Sequence, residues 1–168
     1  MLHKELEKAL NNQIEMEAHA SFTYLAMASW MENSGYEGTA TFLYAQSEEE
    51  RMHMLKLFHY INEVGGYALA PSVSKPHLQY ASYHEVFTSI LEQELKVSAS
   101  IHQLVSLANQ HNDHTTFNFL QWYVAEQREE ENQFRSILDK LKIVGNDGSG
   151  LYLLDRDLAG KSSTSTTV

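Results

Sequence analysis

Six polar side chains stand where a helical protein should carry apolar ones. Glu17, Glu50, His53, Glu94, Gln127 and Glu130 fall in register with apolar stripes whose steps alternate between three and four residues. That spacing is the seam of a helix facing a bundle core. Glu50 and His53 are three residues apart, so one carboxylate and one imidazole share a helix face. Four carboxylates in a core repel one another, and removing each from water costs several kcal/mol. Total folding stability is only about 5–15 kcal/mol. Either these groups keep their protons at raised pKa, or something positive sits among them. The stripes hold no Lys or Arg to supply that charge, so a divalent metal is the economical answer. Oxygen and imidazole donors without thiolate suit iron, manganese or zinc more than copper(I).

Such a cluster needs four helices to deliver it. The two prolines, Pro71 and Pro76, lie in one stretch, leaving room for long helices on either side, because Pro breaks a helix interior. Turn compositions at Asn33-Ser34-Gly35, Gly65-Gly66, Gln110 to Asp113 and Gly145 to Gly148 divide the rest. They leave four helical segments, about 3–33, 37–64, 83–110 and 115–144. The first stripe runs Leu6, Leu10, Gln13, Glu17, Ala20, Tyr24, Met27, Met31, and the second from Leu43 to Val64. The third runs from Phe87 to Ala108 and the fourth from Leu120 to Val144. Each polar insertion is near mid-helix, and midpoints of similar-length bundled helices lie at one level. The pattern predicts an all-α four-helix bundle.

The segment from Gly65 to Ser82 is long for a bundle turn. At roughly 3.3 Å per residue it can run some 50 Å, against about 40 Å for a 27-residue helix. It can therefore cross the bundle and set helices two and three parallel; a hairpin with a loose loop is the alternative. Leu151 to Leu158 reads as a short fifth helix. The expected organisation is one domain over 1–160 and a flexible Ser/Thr-rich tail over 161–168.

Composition narrows the partners. The 168 residues carry 12 Lys+Arg against 22 Asp+Glu, a net charge of −10. That balance argues against nucleic acid, whose binding rests on Lys and Arg neutralising phosphates. No cysteine is present, which excludes disulfides, thiolate metal sites and a thiol nucleophile. No apolar run approaches the roughly 20 residues of a membrane span, and the first residues lack a signal-peptide core. The expectation is a cytoplasmic protein without membrane partners.

Bundles that hold two irons between carboxylates take a Glu from each of two helices and Glu-x-x-His from each of the other two. Here Glu17 and Glu94 fit the single positions and Glu50-x-x-His53 fits one pair, whereas the fourth helix carries Gln127-x-x-Glu130. Glu48, Glu49, Glu126, Glu129 and Glu131 lie one step off the stripes, as a second acidic group or as a solvated face. Tyr24 lies two turns beyond Glu17, within reach of the cluster.

The segments Thr116-Phe117-Asn118-Phe119-Leu120-Gln121-Trp122-Tyr123-Val124 and Ala125-Glu126-Gln127-Arg128-Glu129-Glu130-Glu131 carry a resemblance to bacterial non-haem ferritins. Glu48-Glu49-Glu50 leading to His53, and Gly150-Leu151-Tyr152, extend it. The resemblance implies a homo-oligomeric cage of 24 subunits that oxidises Fe(II) with O₂ or H₂O₂ and stores ferric mineral. It implies a first iron at Glu17, Glu50 and His53, with Glu50 bridging. A second iron falls to Glu94 and Glu130 with Gln127 beside it, and a weaker third to Glu49, Glu126 and Glu129, sharing Glu130. Tyr24 matches a tyrosine implicated in electron donation. Haem is not expected: the haem-binding relatives carry a second Glu-x-x-His, and a methionine after the bridging glutamate where this chain has Arg51. A stand-alone di-metal oxidase acting on an organic substrate, and a purely structural bundle, are the other readings.

Overall fold

The computed structural model describes residues 2–161. Five helices occur there and no strand: α1 (Lys4–Asn33), α2 (Glu37–Glu63), α3 (Tyr83–Gln110), α4 (His114–Val144) and α5 (Gly148–Lys161). The four long helices end where the turn compositions placed them. Gly35, Gly65, Asn112 and Gly145 take positive φ, as the residues that turn a chain out of a helix commonly do. α5 is longer than expected at both ends, and the expected tail from 162 onward lies outside the described residues.

Contacts across the bundle set its topology. Ser21 of α1 bonds Ser47 of α2, and Tyr24 of α1 reaches Glu94 of α3 while Gln13 meets Ser100. Along α2, Tyr60, His53 and Gln46 face Thr116, Tyr123 and Gln133 of α4 in that order. α1 therefore runs antiparallel to both α2 and α3, and α4 antiparallel to α2. Helices α2 and α3 are parallel, so residues 65–82 do cross the length of the bundle.

Local chemistry starts α3 and α4. The Ser82 hydroxyl accepts from the Glu85 N–H at 3.1 Å, and the Asp113 carboxylate from the Thr116 N–H at 2.9 Å, as N-caps do. α2 begins at Tyr36 with no side-chain cap of its own. Asp155 of α5 caps it from outside, accepting from the Gly38 and Thr39 N–H groups at 3.2 and 2.7 Å and from the Thr39 hydroxyl at 2.7 Å. A Cβ on Gly38 would collide with the Asp155 backbone carbonyl, so glycine is required for that approach.

The predicted stripes are the buried ones; among their members only Val64 and Val144 are partly exposed. The apolar core is split in two. One half gathers Met27, Met31, Leu43, Phe87, Phe134 and Leu158, the other Leu6, Leu10, Leu57, Ile101, Leu104 and Leu120. The polar layer lies between them.

Candidate metal centre

Each helix brings its polar residues to this layer at mid-length. Glu17 and Glu94 are fully buried, and Glu50, His53, Gln127 and Glu130 are no more than 5% exposed. Among the described residues no Lys or Arg is buried beside them. One ligand atom from each of Glu17, Glu50 and His53 lies within 4.8 Å of the other two, and His53 Nδ1 stands 3.5 Å from Glu50 Oε2. The Glu17 carboxylate accepts from the Gln13 amide at 2.7 Å through Oε1, which leaves Oε2 without a partner. His53 Nδ1 and Glu130 Oε2 are likewise buried and unpartnered. Orphaned buried atoms of this kind cost about 1–3 kcal/mol each, and three in one layer fit a cation that would satisfy them.

Across the layer, Glu94 is tied down. Tyr24 donates its hydroxyl to Glu94 Oε1 at 2.6 Å, and the Gln127 amide donates to Oε2 at 3.1 Å. Gln127 Nε2 also lies 3.3 Å from the Glu94 backbone carbonyl, so the fourth helix meets the third through an amide donor.

All four carboxyls are pushed above the ordinary range, and burial is the first cause in each. For Glu17 the neighbouring Glu50 adds to it, and for Glu50 and Glu130 the charge of Glu94 does. Glu94 rises less far, because the Tyr24 and Gln127 donors favour its charged form. The Tyr24 phenol is raised too, by burial and then by Glu94. Burial without compensating charge favours protonated carboxyls, and a metal would displace those protons.

The flanking acidic residues divide. Glu49 and Glu126, both half-buried, place a ligand atom each within 4.8 Å of one another and of His53. The Gln46 amide holds Glu49 Oε2 at 2.6 Å. Glu129 stands outside that group, exposed and 3.6 Å from Arg128. Glu131 is occupied by Ser98 and Arg135, each at 2.6 Å.

Sequence reasoning left several supporting residues unassigned. Gln13 orients Glu17 and is itself held by the Ser100 hydroxyl at 2.6 Å; its place one turn before Glu17 on the same stripe was the available signal. Tyr123 donates to the His53 backbone carbonyl at 2.7 Å, and the Trp122 ring stands edge-on to His53 at 5.3 Å. A cavity of about 680 Å³ opens along the α1–α3 groove, lined by residues such as His19, Glu15 and Gln93, and none of the six inner residues borders it.

Comparison with known proteins agrees with this geometry. The Ferritin family, described as a ferritin-like domain, matches residues 7–144. A probable bacterial non-heme ferritin-like protein of Haemophilus influenzae is 44% identical over 163 residues, covering 97% of this chain and 99% of its own. A bacterial non-heme ferritin of Campylobacter jejuni is 44% identical over 93% of each chain. Among solved structures, an open pore ferritin from the archaeon Archaeoglobus fulgidus superposes with a TM-score of 0.93 at 38% identity, over 95% of this chain and 98% of that one. With four parallel and antiparallel helices, a crossover, a carboxylate–imidazole layer and these relatives in accord, the chain belongs to the ferritin family.

Proposed function

We propose that the protein stores iron, binding Fe(II) as substrate in the polar layer, oxidising it and depositing ferric product inside a closed shell of 24 copies. The observation that carries this reading is the buried set of four carboxylates and one imidazole, with orphaned oxygen and nitrogen atoms and, among the described residues, no buried Lys or Arg. Glu17, Glu50 and His53 would take one iron, and Glu94 and Glu130 a second, with Glu50 between them and Gln127 beside the second. Each Fe(II) gives one electron; O₂ takes two electrons and two protons and leaves as H₂O₂. Protons released from the carboxyls when metal binds are available for that step. H₂O₂ can serve as oxidant in place of O₂, accepting two electrons and two protons to leave as water.

Gln127 offers the second iron a neutral amide where related bundles offer a charged or imidazole donor. That weakens retention and favours passing the product on. Glu49, Glu126 and Glu129, closer to water, are the proposed third and weaker site. Tyr24, bonded to Glu94, is the proposed donor of a further electron where O₂ is reduced beyond H₂O₂. Iron is handled as ions and not as haem in this reading.

Large apolar side chains exposed on several faces support assembly: Phe22 and Leu25 on α1, Met52 on α2, Leu78 in the crossover, Tyr152 and Leu153 on α5. Contacts on many sides are what a closed shell needs from one subunit. Among the described residues no helix is long and apolar enough to cross a membrane. The proposed location, as for the bacterial ferritins this chain resembles, is the cytoplasm. An oxidase of organic substrates gains no support, because the roomy α1–α3 cavity is bordered by none of the inner residues.

Light scattering combined with aerobic Fe(II) addition tests the reading. The expected result is a particle of 24 chains that oxidises two Fe(II) per chain in a fast phase. A dimer, or a shell with no fast phase, overturns it.

A further inference from the structure

We propose a second metal site, away from the polar layer, formed by His3, Glu5 and His111 and selective for a borderline divalent ion of the Zn(II) class. It does not rest on the iron-storage reading. His3 precedes α1 and Glu5 lies in its first turn, while His111 closes α3 at the turn into α4. The fold lays the start of the chain on that turn. His3 is 14 residues before Glu17, roughly 21 Å along the helix axis, so the inner centre cannot share these ligands.

The geometry is that of donors converging on one point. His111 Nε2 and Glu5 Oε2 are 2.9 Å apart. Donor atoms on one tetrahedral Zn(II), with bonds of about 2.0–2.1 Å, sit roughly 3.3 Å apart, so a small opening of the pair admits the ion. The His3 ring stacks on His111 with centroids 3.7 Å apart and planes 22° off parallel. One ligand atom of each of the three residues falls within 4.8 Å of the other two. An ordinary His–Glu pair explains one imidazole here; the second brings a third donor to the same place.

Turning His3 toward an ion is inexpensive. Its Nδ1 already accepts the Glu5 N–H, hence carries no proton, and that bond is long at 3.3 Å. Both His3 and Glu5 are exposed, so water can complete the coordination and the ion has an open approach. Two imidazoles and one carboxylate favour Zn(II), Co(II) or Fe(II) over Mg(II) or Ca(II), which take all-oxygen sets. A bound ion would join residues 106 and 108 positions apart, stapling the first turn of α1 to the α3–α4 turn.

Zn(II) titration of the untagged, chelator-treated full-length protein by calorimetry, in excess Mg(II), provides the test. The comparison is with His3→Asn, which keeps a side-chain acceptor at the helix start, and with His111→Gln. The wild type should bind one more Zn(II) per chain than either variant, or bind it about tenfold or more tightly. That extra ion should persist in His53→Ala, which alters only the inner centre. Equal stoichiometry and affinity in the wild type and both variants overturns the site. So does loss in His111→Gln alone, since His3 would then be no ligand. Circular dichroism of each variant checks that the helices are retained.

Discussion

On one side of the polar layer, Glu17, Glu50 and His53 come together with few hydrogen-bond donors: Gln13 holds one Glu17 oxygen, and Glu17 Oε2 and His53 Nδ1 are left bare. On the other side, Glu94 is gripped by Tyr24 and Gln127 through both oxygens. Both regions are buried to the same depth, yet their electrostatics differ. Glu17 and Glu50 sit well above the ordinary carboxyl range, while the two donors hold Glu94 to a smaller rise. Two carboxyls favoured in their protonated form beside an unpartnered imidazole nitrogen are matched to a cation that displaces those protons, and to little else. A carboxylate stabilised by neutral donors is already half-satisfied, so a second ion gains less there. The asymmetry supports the proposed difference between a first iron held firmly and a second, which still meets the bare Glu130 Oε2, held less so.

The strongest way to break this comparison is to remove the bare side. Glu50→Ala and His53→Ala should each slow rapid Fe(II) oxidation by about 100-fold or more, since even supporting groups around a metal are worth about 10–100-fold. Losing a repelled carboxylate should hold or raise the stability of the metal-free protein. Stopped-flow absorbance and thermal melts read both, and an unchanged rate in either variant removes the trio from the centre.

Tyr24→Phe loosens the gripped side. It leaves Glu94 Oε1 buried without its donor, at about 1–3 kcal/mol, and should push the Glu94 carboxyl further up. The expected outcome is a several-fold slower oxidation with an intact shell, alongside a lower melting temperature. Wild-type values for both would mean that Tyr24 is only core packing.

A smaller effect is expected beyond the layer. Replacing Glu49, Glu126 and Glu129 together with Gln should preserve the first fast oxidation and alter the Fe-to-O₂ ratio and recovery in later rounds. Loss of the first phase would assign these residues to the primary centre. No change in either measurement would leave them as a solvated acidic face.

The mildest test is pH. The folded metal-free chain holds protons on Glu17, Glu50 and Glu130 above their ordinary 4.5, where the unfolded chain has released them. Stability from these groups is full below that value and is lost as pH rises through the folded-state values. The melting temperature of chelated protein should fall as pH rises above the ordinary carboxyl range, and fall less steeply in Glu17→Gln. A slope identical in the two proteins would show that Glu17 is ionised without metal.

Much of the architecture was readable beforehand because helical periodicity is local. Alternating three- and four-residue steps state which face of each helix is buried, and Pro and Gly state where helices cannot continue. The level at which Glu17, Glu50, Glu94 and Glu130 meet followed from mid-helix placement alone. The flanking group was less legible. Glu129 and Glu126 are equivalent by spacing, yet one pairs with Arg128 and the other approaches Glu49 and His53. Side-chain rotation in a half-exposed band is set by neighbours on other helices, which spacing does not encode.

By itself the amino-acid order determined that four amphipathic helices would bury a layer of carboxylates, because a stripe of fixed period has only one face to offer the core. It also determined that no Lys or Arg could neutralise that layer, since the stripes contain none. Only the tertiary structure decided which oxygens are satisfied and which are bare. That choice depends on donors arriving from partners far along the chain: Tyr24 to Glu94 across 70 positions, and Gln127 to Glu94 across 33. It likewise decided that Asp155 would cap α2 and that His3 would stack on His111. Those contacts are made between residues more than 100 positions apart, at helix ends where no periodic signal reaches, and they exist only once the bundle has closed.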